Sequence, residues 1–472
     1  MTVPEKEWIF ARLARYGQEH LLRFWDELEP EQREALWEEI DRIDFALIER
    51  LYRGGMDDER VRQLAARATS PPFFRLGDPG NPIPPGEARR RGEEALRAGE
   101  VGAVLVAGGQ GTRLGFDRPK GMYPIGPVSG HSLFQIHAEK VLATGRRYGR
   151  PVPLCLMTSP ATHDATVTFF AQHGRFGLAE DQLHVFCQGT MPAVDAASGK
   201  VLLADRGHLA LSPDGHGGMP AAISSSGLLG QLHRRGIRRL FYFQVDNPLV
   251  RVCDPEFIGY HLLARSELST QVVRKTSPAD RVGNVVQVDG RLHVIEYSDL
   301  PEEVAQRRNP DGSLAIWAGS IAVHVFDVDF LRRMATEAER LPFHLAHKKV
   351  AYVDEDGRRV EPDRPNAIKF ERFIFDLMPA AANAIVVEVD RRTDFAPLKN
   401  ASGHQEDTPE TVRVQMVALH ARWLEAAGVS VPPGVPVEIS PLVALDADQL
   451  AANVPHDLRI TGPTYLGPTL TR

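Results

Sequence analysis

Residues 106–121 read Val-Ala-Gly-Gly-Gln-Gly-Thr-Arg-Leu-Gly-Phe-Asp-Arg-Pro-Lys-Gly, and these are the residue types a polyphosphate needs. The valine-rich run 101–106 stops at Gly108, Gly109 and Gly111. Glycine has no Cβ, so backbone N–H groups can approach an anion closely. Two fixed cations, Arg113 and Lys120, follow within a few residues. The pattern predicts a strand that opens into a loop built to hold a polyphosphate.

Neither common phosphate motif fits. A P-loop ends in Gly-Lys-Ser/Thr, whereas Gly111 is followed by Thr112 and Arg113. A dinucleotide fingerprint counted from Gly109 and Gly111 needs glycine at position 114, where Leu114 stands. The next helix signal is Ser132-Leu-Phe-Gln135, a capping-box pattern ahead of Ile136, Val141 and Leu142. About twenty residues of loop therefore separate strand from helix, which marks a functional loop or a disordered one. The stretch has few disorder-promoting features, so a functional loop is expected.

The elements that must position this loop follow from the texture of the chain. Its 472 residues suffice for two or three domains and a large core. Apolar and charged contents of 43% and 25% are ordinary for a globular protein. A net charge of −7 leaves no basic field for nucleic acid, and no apolar run reaches the length of a membrane span. The first residues lack the pattern of a signal peptide. Cys155, Cys187 and Cys253 are too scattered for a disulfide framework or a zinc site, so a reducing, cytoplasmic setting is expected. Of 55 basic residues nine are Lys and 46 Arg. Where Lys is kept, a compact point charge is called for. Lys120, Lys369 and Lys399 all stand in unusual local contexts.

Residues 1–70 show helical spacing of Trp8, Leu13, Leu21, Leu36, Trp37 and Ile40, which predicts an amphipathic helical layer. Residues 70–87 are rich in Pro and Gly and read as a linker. From about 97 the pattern alternates. Strands are predicted at 101–106, 153–158, 183–187, 239–245, 271–274, 284–288, 321–326 and 385–389, with helices at 132–147 and 221–235 among them. This alternation predicts an α/β domain with a mostly parallel sheet. A helix at 409–427 and a strand-like segment at 437–445 follow. Ligands of such sheets lie beyond the carboxyl ends of the strands. Asp246-Asn247, Gln188-Gly189, Glu296-Tyr297 and Gly319-Ser320 all fall near strand boundaries, and the glycine-rich loop 213–218 precedes a helix. Singly, each reads as a cap or turn; together they suggest one site.

The motifs, in order, resemble UDP-N-acetylhexosamine pyrophosphorylases, within the wider UDP-sugar pyrophosphorylase family. They are Gly-Gly-Gln-Gly-Thr-Arg-Leu-Gly with Pro-Lys-Gly-Met-Tyr123, then Met157-Thr-Ser159, Gln188-Gly-Thr-Met-Pro192, Pro213-Asp-Gly-His-Gly-Gly218 and Val245-Asp-Asn247. Glu296-Tyr-Ser298, Pro365-Asn-Ala-Ile-Lys369, Pro397-Leu-Lys-Asn400 and Glu438-Ile-Ser-Pro-Leu442 continue the series. The resemblance implies a Rossmann-like, GT-A-like nucleotidyltransferase domain of mixed sheet over 97–395. A helical region over 1–96 and a small C-terminal domain over 396–472 would flank it. It also implies a reaction in which a sugar 1-phosphate oxygen attacks the α-phosphorus of UTP and pyrophosphate leaves. Such a transfer needs positioning and charge neutralisation more than covalent help.

Site roles follow from the same resemblance. Val106, Ala107, Gly108 and Gly109 would give backbone contacts to UTP, with Gln188 and Gly215 at the nucleotide. Arg113 and Lys120 would neutralise the departing pyrophosphate. Lys399 would sit on the sugar phosphate or α-phosphate, and Lys369 on a second phosphate. Asp246 would hold Mg²⁺ or Mn²⁺. Glu296, Tyr297, His216 and Ser320 would face the sugar. The implied partners are the small molecules UTP and a sugar 1-phosphate, with no nucleic acid and no membrane.

Two departures touch the sugar side. The family's Gly-Asn-Gly-Gly is here Gly215-His-Gly-Gly218, and its Asn-Ala-Gly-Asn is Trp317-Ala-Gly-Ser320. An Asn amide offers donor and acceptor together, suited to a hydroxyl or an acetamide, and its loss can change specificity. N-acetylglucosamine 1-phosphate is the expected substrate on the whole chain. Glucose 1-phosphate, or a broad range of sugars, is the alternative on these residues. A non-catalytic sugar-nucleotide sensor is a third reading, opposed by the complete set of cations and Asp246.

Overall fold

The computed structural model describes residues 3–54, 58–337, 341–455 and 457–468. Two compact units emerge, and neither is continuous in sequence. The larger gathers Val61–Cys187, Pro220–Glu337 and Phe375–Arg472; the smaller gathers Met1–Arg60, Gln188–Met219 and Ala338–Ile374.

The larger unit is organised by a mixed, mostly parallel sheet. From edge to edge its strands are Phe73–Arg75, Ile385–Val389, Leu268–Arg274, Ala318–Asp327, Arg239–Gln244, Val101–Val106, Leu154–Thr158 and Leu183–Cys187. Along this path only Ala318–Asp327 runs antiparallel to its neighbours. The central strands are apolar runs buried on both faces, as a parallel sheet requires. Register brings Val106 opposite Gln244 on one side and Met157 on the other, so three carboxyl ends finish level. The hairpin Asn284–Val288 and Arg291–Ile295 joins through the pair Asn284–Gly319.

The predicted strands are all present, with polar extensions that the pattern missed: Leu268–Arg274 and Ala318–Asp327 begin earlier than expected. The expected linker at 70–87 holds an edge strand, Phe73–Arg75, paired with Val386, Val387 and Glu388. Ser132 caps the helix Leu133–Tyr148 by accepting from the Gln135 N–H at 3.2 Å. The reciprocal half of the capping box is not formed; the Gln135 side chain turns toward Glu139 and its Nε2 donates to Glu139 Oε1 at 2.9 Å. At the C-terminal end, Pro409–Ala426 is a helix capped by Thr408. The expected strand at 437–445 is a strand only over Val437–Ile439, paired with Thr464–Leu466.

The smaller unit packs helices Lys6–Ala14, Pro30–Asp41 and Phe45–Gly54 on a three-stranded sheet, His344–Lys348, Ala367–Glu371 and Val194–Asp195. Leu13, Leu36, Ile40, Val194 and Phe370 share its core.

Helices Pro85–Arg97 and Pro255–Leu263 of the larger unit cross through reciprocal glycines. A Cβ on Gly92 would overlap the Pro255 carbonyl, and one on Gly259 would overlap the Ala88 carbonyl. Both obstacles are backbone, which cannot turn away. Gly259→Ala is therefore expected to reach at least the upper end of overpacking costs, about 3 kcal/mol. Urea unfolding of the variant checks this; a midpoint equal to the parent's would show that the two helices can part cheaply.

Candidate active site

The strand Val101–Val106 delivers the glycine loop. Ala107 N–H donates to Met157 O at 2.8 Å, which prolongs the sheet by one residue past the strand. Ser159 Oγ then donates to Gly108 O at 2.8 Å and fixes the start of the turn. Gly109 and Gln110 are exposed, and a Cβ on Gly109 would meet nothing. The loop is ordered by its own bonds. Gly111 N–H donates to Arg118 O and Lys120 N–H to Gly109 O, at 2.9 and 3.1 Å. Short 3₁₀ turns at Thr112–Leu114 and Lys120–Met122 occupy it. Gly111 has a local reason: a Cβ there would meet the Phe116 carbonyl at 2.6 Å. Arg113 is exposed and makes no ion pair among the described residues.

The strand Arg239–Gln244 runs into Asp246 beside this loop. Lys120 Nζ stands 3.8 Å from Asp246 Oδ2, and both side chains are largely buried. Asn247 works on the backbone. Its amide donates to Asp394 O at 2.8 Å, while its oxygen accepts from the N–H of Ala396 at 3.0 Å and of Leu249 at 3.2 Å. Leu398 N–H donates to Asp246 O at 2.8 Å. Lys399 is thereby delivered next to the end of a strand far from it in sequence. Its ammonium lies 5.8 Å from the Phe395 ring centroid. Its N–H donates to Asp407 O. Burial pushes the Asp407 carboxyl above its usual range, and Lys399 works against that shift.

The sugar-side candidates divide. Gly283 brings two of them together: a Cβ there would lie 3.2 Å from Glu296 Oε1 and 3.9 Å from Ser320 Cβ. Ser320 N–H donates to Gly283 O at 2.8 Å. Tyr297 is 50% exposed, so it is no core hydroxyl. Trp317 is buried, edge-on to Phe73 and under the Arg274 guanidinium at 4.5 Å. It fills space at the sheet edge.

The smaller unit holds Gln188, Gly215, His216 and Lys369. Gln188 is buried. Thr190–Pro192 pairs antiparallel with Leu211–Pro213 and leads into the second glycine loop. Gly215 has φ 84°, and a Cβ on Gly218 would overlap the Asp214 carboxylate. Arg372 spans the loop base. Its guanidinium binds Asp214 Oδ2, its N–H donates to Asp214 O at 2.8 Å, and its carbonyl accepts from Gly217 N–H at 2.8 Å. Asp214 Oδ1 has no hydrogen-bond partner among the described residues. Burial pushes this carboxyl up, with Arg372 pulling the other way. His216 Nδ1 accepts from Ile374 N–H at 3.2 Å, and its ring packs on Phe373. Burial holds its pKa down at about 4, so the ring is neutral with its proton on Nε2. Lys369 is half-buried on the middle strand, on the opposite face from core residues Ile368 and Phe370.

Residues 88–452 match the UTP–glucose-1-phosphate uridylyltransferase family. The chain belongs to that family. It is a nucleotidyltransferase. Among its relatives, UDP-N-acetylhexosamine pyrophosphorylase-like protein 1 of Homo sapiens is 41% identical over 93% of both chains. The UDP-N-acetylglucosamine pyrophosphorylase of Saccharomyces cerevisiae is 41% identical over 79% of this chain and 80% of its own. The crystal structure of the uridine diphosphate N-acetylglucosamine pyrophosphorylase from Trypanosoma brucei, in complex with an inhibitor, superposes with a TM-score of 0.82. It is 26% identical and covers 96% of this chain and 95% of that one.

Two positioning roles in this uridylyltransferase are not legible in the sequence. Asn247 stands there only as a polar neighbour of Asp246, and Arg372 is one of 46 arginines. Nothing local distinguishes Arg372; its role exists only once its strand lies beside the glycine loop. Removing it strands a buried carboxylate. Arg372→Ala should cost about 3–5 kcal/mol. Adding Asp214→Asn to that variant should return part of the loss, because the residual charge is gone. Urea unfolding of the single and double variants measures both; a double variant less stable than the single would rule out an uncompensated charge as the cause.

Proposed function

We propose that the chain transfers the uridylyl group of UTP to N-acetylglucosamine 1-phosphate, releasing pyrophosphate. The observation that carries this reading is the open glycine loop with Arg113 beside it and Lys120 3.8 Å from Asp246. Relatives named for UDP-N-acetylglucosamine chemistry support the choice of sugar.

In this reading the backbone from Val106 through Gly109 lies along UTP, and Arg113 and Lys120 take up the charge of the leaving pyrophosphate. Lys399 stabilises the crowded α-phosphorus, where charge develops in the transition state. Lys369 is a second phosphate contact, and Gln188 and Gly215 hold the nucleotide. Glu296, Tyr297, Ser320 and His216 face the sugar. No general base is needed, since the attacking phosphate is already ionised.

A hard divalent ion, Mg²⁺ or Mn²⁺, suits the donors present. Asp246 offers one carboxylate, and the described residues contain no group of three or more His, Cys, Asp or Glu able to cage a metal. Mg²⁺ is held in this way in nucleotide enzymes, by one or two carboxylates plus substrate phosphates. When bound, the ion would supply further charge neutralisation at the phosphates. The cell compartment proposed is the cytoplasm; no described helix is long and apolar enough to cross a membrane.

One observation favours glucose 1-phosphate as a second reading. His216 stands where the family resemblance has an Asn, and with its Nδ1 taken by Ile374 N–H it cannot offer donor and acceptor together as an Asn amide would. Incubation with UTP, Mg²⁺ and a panel of sugar 1-phosphates should release pyrophosphate fastest with N-acetylglucosamine 1-phosphate. Nucleotide binding without pyrophosphate release from any sugar would leave only a sensor. Arg113→Ala should lower kcat by roughly 10²–10³-fold with the melting temperature unchanged. A near-parental kcat would remove Arg113 from the chemistry. His216→Asn should shift the rate ratio toward N-acetylated sugars, and an unmoved ratio would take His216 out of specificity.

A further inference from the structure

The loop that opens at Gly109 closes in a hairpin, and the hairpin is fastened from far along the chain. Ile125 and Gly126 N–H both donate to His131 O, at 2.9 and 3.0 Å, and Leu133 N–H donates to Tyr123 O at 3.1 Å. At the tip the Glu438 carboxylate takes three donors. Its Oε2 accepts from the N–H groups of Val128 and Ser129 at 2.8 and 2.7 Å, and its Oε1 accepts from Ser129 Oγ at 2.7 Å. Successive backbone N–H groups make a nest for an anion, and bonds to a carboxylate are roughly twice as strong as neutral ones. Glu438 is 3% exposed, so water does not stand in for these bonds. The fit is close. A Cβ on Gly126 would lie 2.8 Å from Glu438 Oε1 and would overlap Ser129 Oγ.

The bonds continue from the hairpin to Lys120. Tyr123 N–H donates to Lys120 O at 2.9 Å, and Lys120 N–H to Gly109 O at 3.1 Å. A Cβ on Gly121 would overlap the Phe134 ring, so the turn Lys120–Met122 lies directly on the helix Leu133–Tyr148. The C-terminal side of the clasp is equally fixed. Ile439 N–H, next to Glu438, donates to His420 Nδ1 at 3.3 Å on the helix Pro409–Ala426. Arg413 of that helix donates to Pro124 O at 2.8 Å, on the first arm of the hairpin. Just ahead of the helix, the Asp407 carbonyl accepts from Lys399 N–H at 2.9 Å. One C-terminal frame therefore holds both the loop that carries Lys120 and the segment that carries Lys399.

We propose that Glu438 is a positioning residue for Lys120: its carboxylate fixes the hairpin tip, and the hairpin fixes where the Lys120 ammonium stands. The proposal rests on the uridylyl reading, in which Lys120 meets the departing pyrophosphate. A misplacement of about 1 Å can cost about 10²-fold in rate, so a cation serving a leaving group needs such a mounting. Glu438 acts on the reaction through this backbone path, so its loss falls on kcat and spares the binding of the sugar 1-phosphate.

Glu438→Gln keeps the length of the side chain but has a single acceptor oxygen, so its N–H₂ must face at least one of the three donors. It is expected to lower kcat about tenfold with little change in KM for the sugar 1-phosphate. In a Lys120→Met background the same change should cost nothing more, because the group it positions is gone. Hydrogen exchange reads the clasp without turnover. Amides of residues 121–133 should exchange about tenfold faster in Glu438→Gln, and those of the strand Leu154–Thr158 at the parental rate. Gly126→Ala crowds the carboxylate while leaving its charge in place. It should reproduce both effects, and it decides the matter if Glu438→Gln does not fold. The proposal is overturned if exchange over 121–133 stays parental in a folded variant, or if a folded Glu438→Gln keeps the parental kcat. It is equally overturned if the effect of Glu438→Gln adds in full to that of Lys120→Met, which marks a general weakening of the fold. In each of these cases the parent still turns over. A parent that releases no pyrophosphate overturns the uridylyl reading and the role of Lys120 with it, whatever the exchange shows.

Discussion

The arrangement of Asp246 and Lys399 in the larger unit depends on what the Asn247 side chain does to the backbone. One amide group binds Asp394 O, Ala396 N–H and Leu249 N–H at once. All of these are buried, where an unmade backbone bond costs about as much as a lost hydrogen bond. The segment after Asp394 therefore cannot lift away from the strand end without leaving several polar groups bare. Leu398 N–H on Asp246 O completes the seam. Lys399 is thus fixed through the main chain, not through any contact of its own ammonium with Asp246. Such a mounting leaves the cation's charge available to a ligand.

The smaller unit solves the same problem differently. Its glycine loop is held at the base by Arg372, which uses guanidinium, N–H and carbonyl together on Asp214 and Gly217. The buried Asp214 carboxylate fits because Gly218 has no side chain to displace it. In the glycine loop at 108–111 the glycines serve two distinct ends. Gly111 is demanded by the close Phe116 carbonyl, whereas Gly109 faces open space. Nothing within the chain demands a glycine at position 109.

Much of this was legible where residue type alone decides. The runs 101–106, 183–187, 284–288 and 385–389 carry enough β-branched and other apolar residues to read as strands by themselves, and the structure has each of them at those bounds. Legibility failed where burial is earned by pairing. Leu268-Ser269-Thr270 looks too polar for an inner strand, yet Ser269 meets His261 Nδ1 at 2.8 Å and the strand is buried. Phe73–Arg75 hides between prolines and glycines, and only Ile385–Val389 makes it a strand. The smaller unit joins three stretches separated by more than a hundred residues each, which no local pattern announces. The strand end and open turn at 106–121 are readable because the glycines that make them are close in sequence. The covering of Trp317 by Phe73 and Arg274 is not legible, because strand position alone does not say what will pack there.

The distance between Lys120 and Asp246 is informative in its own right. At 3.8 Å the two charges attract, but they are beyond the 2.7–3.2 Å of a hydrogen bond. A buried pair in tight contact would have to be broken before either group could serve, and breaking such pairs is costly. A pair held slightly apart by separate backbones keeps each charge compensated without committing it. In the proposed reaction Lys120 would meet the polyphosphate and Asp246 would hold the divalent ion, which would supply further charge neutralisation. Neither side chain would have to leave a hydrogen bond to the other, so little reorganisation would be needed. That economy requires the glycine loop and the Asp246 turn to be rigid independently of the ion pair. The Gly109–Lys120 backbone bond and the Leu398–Asp246 bond supply that rigidity, one on each side.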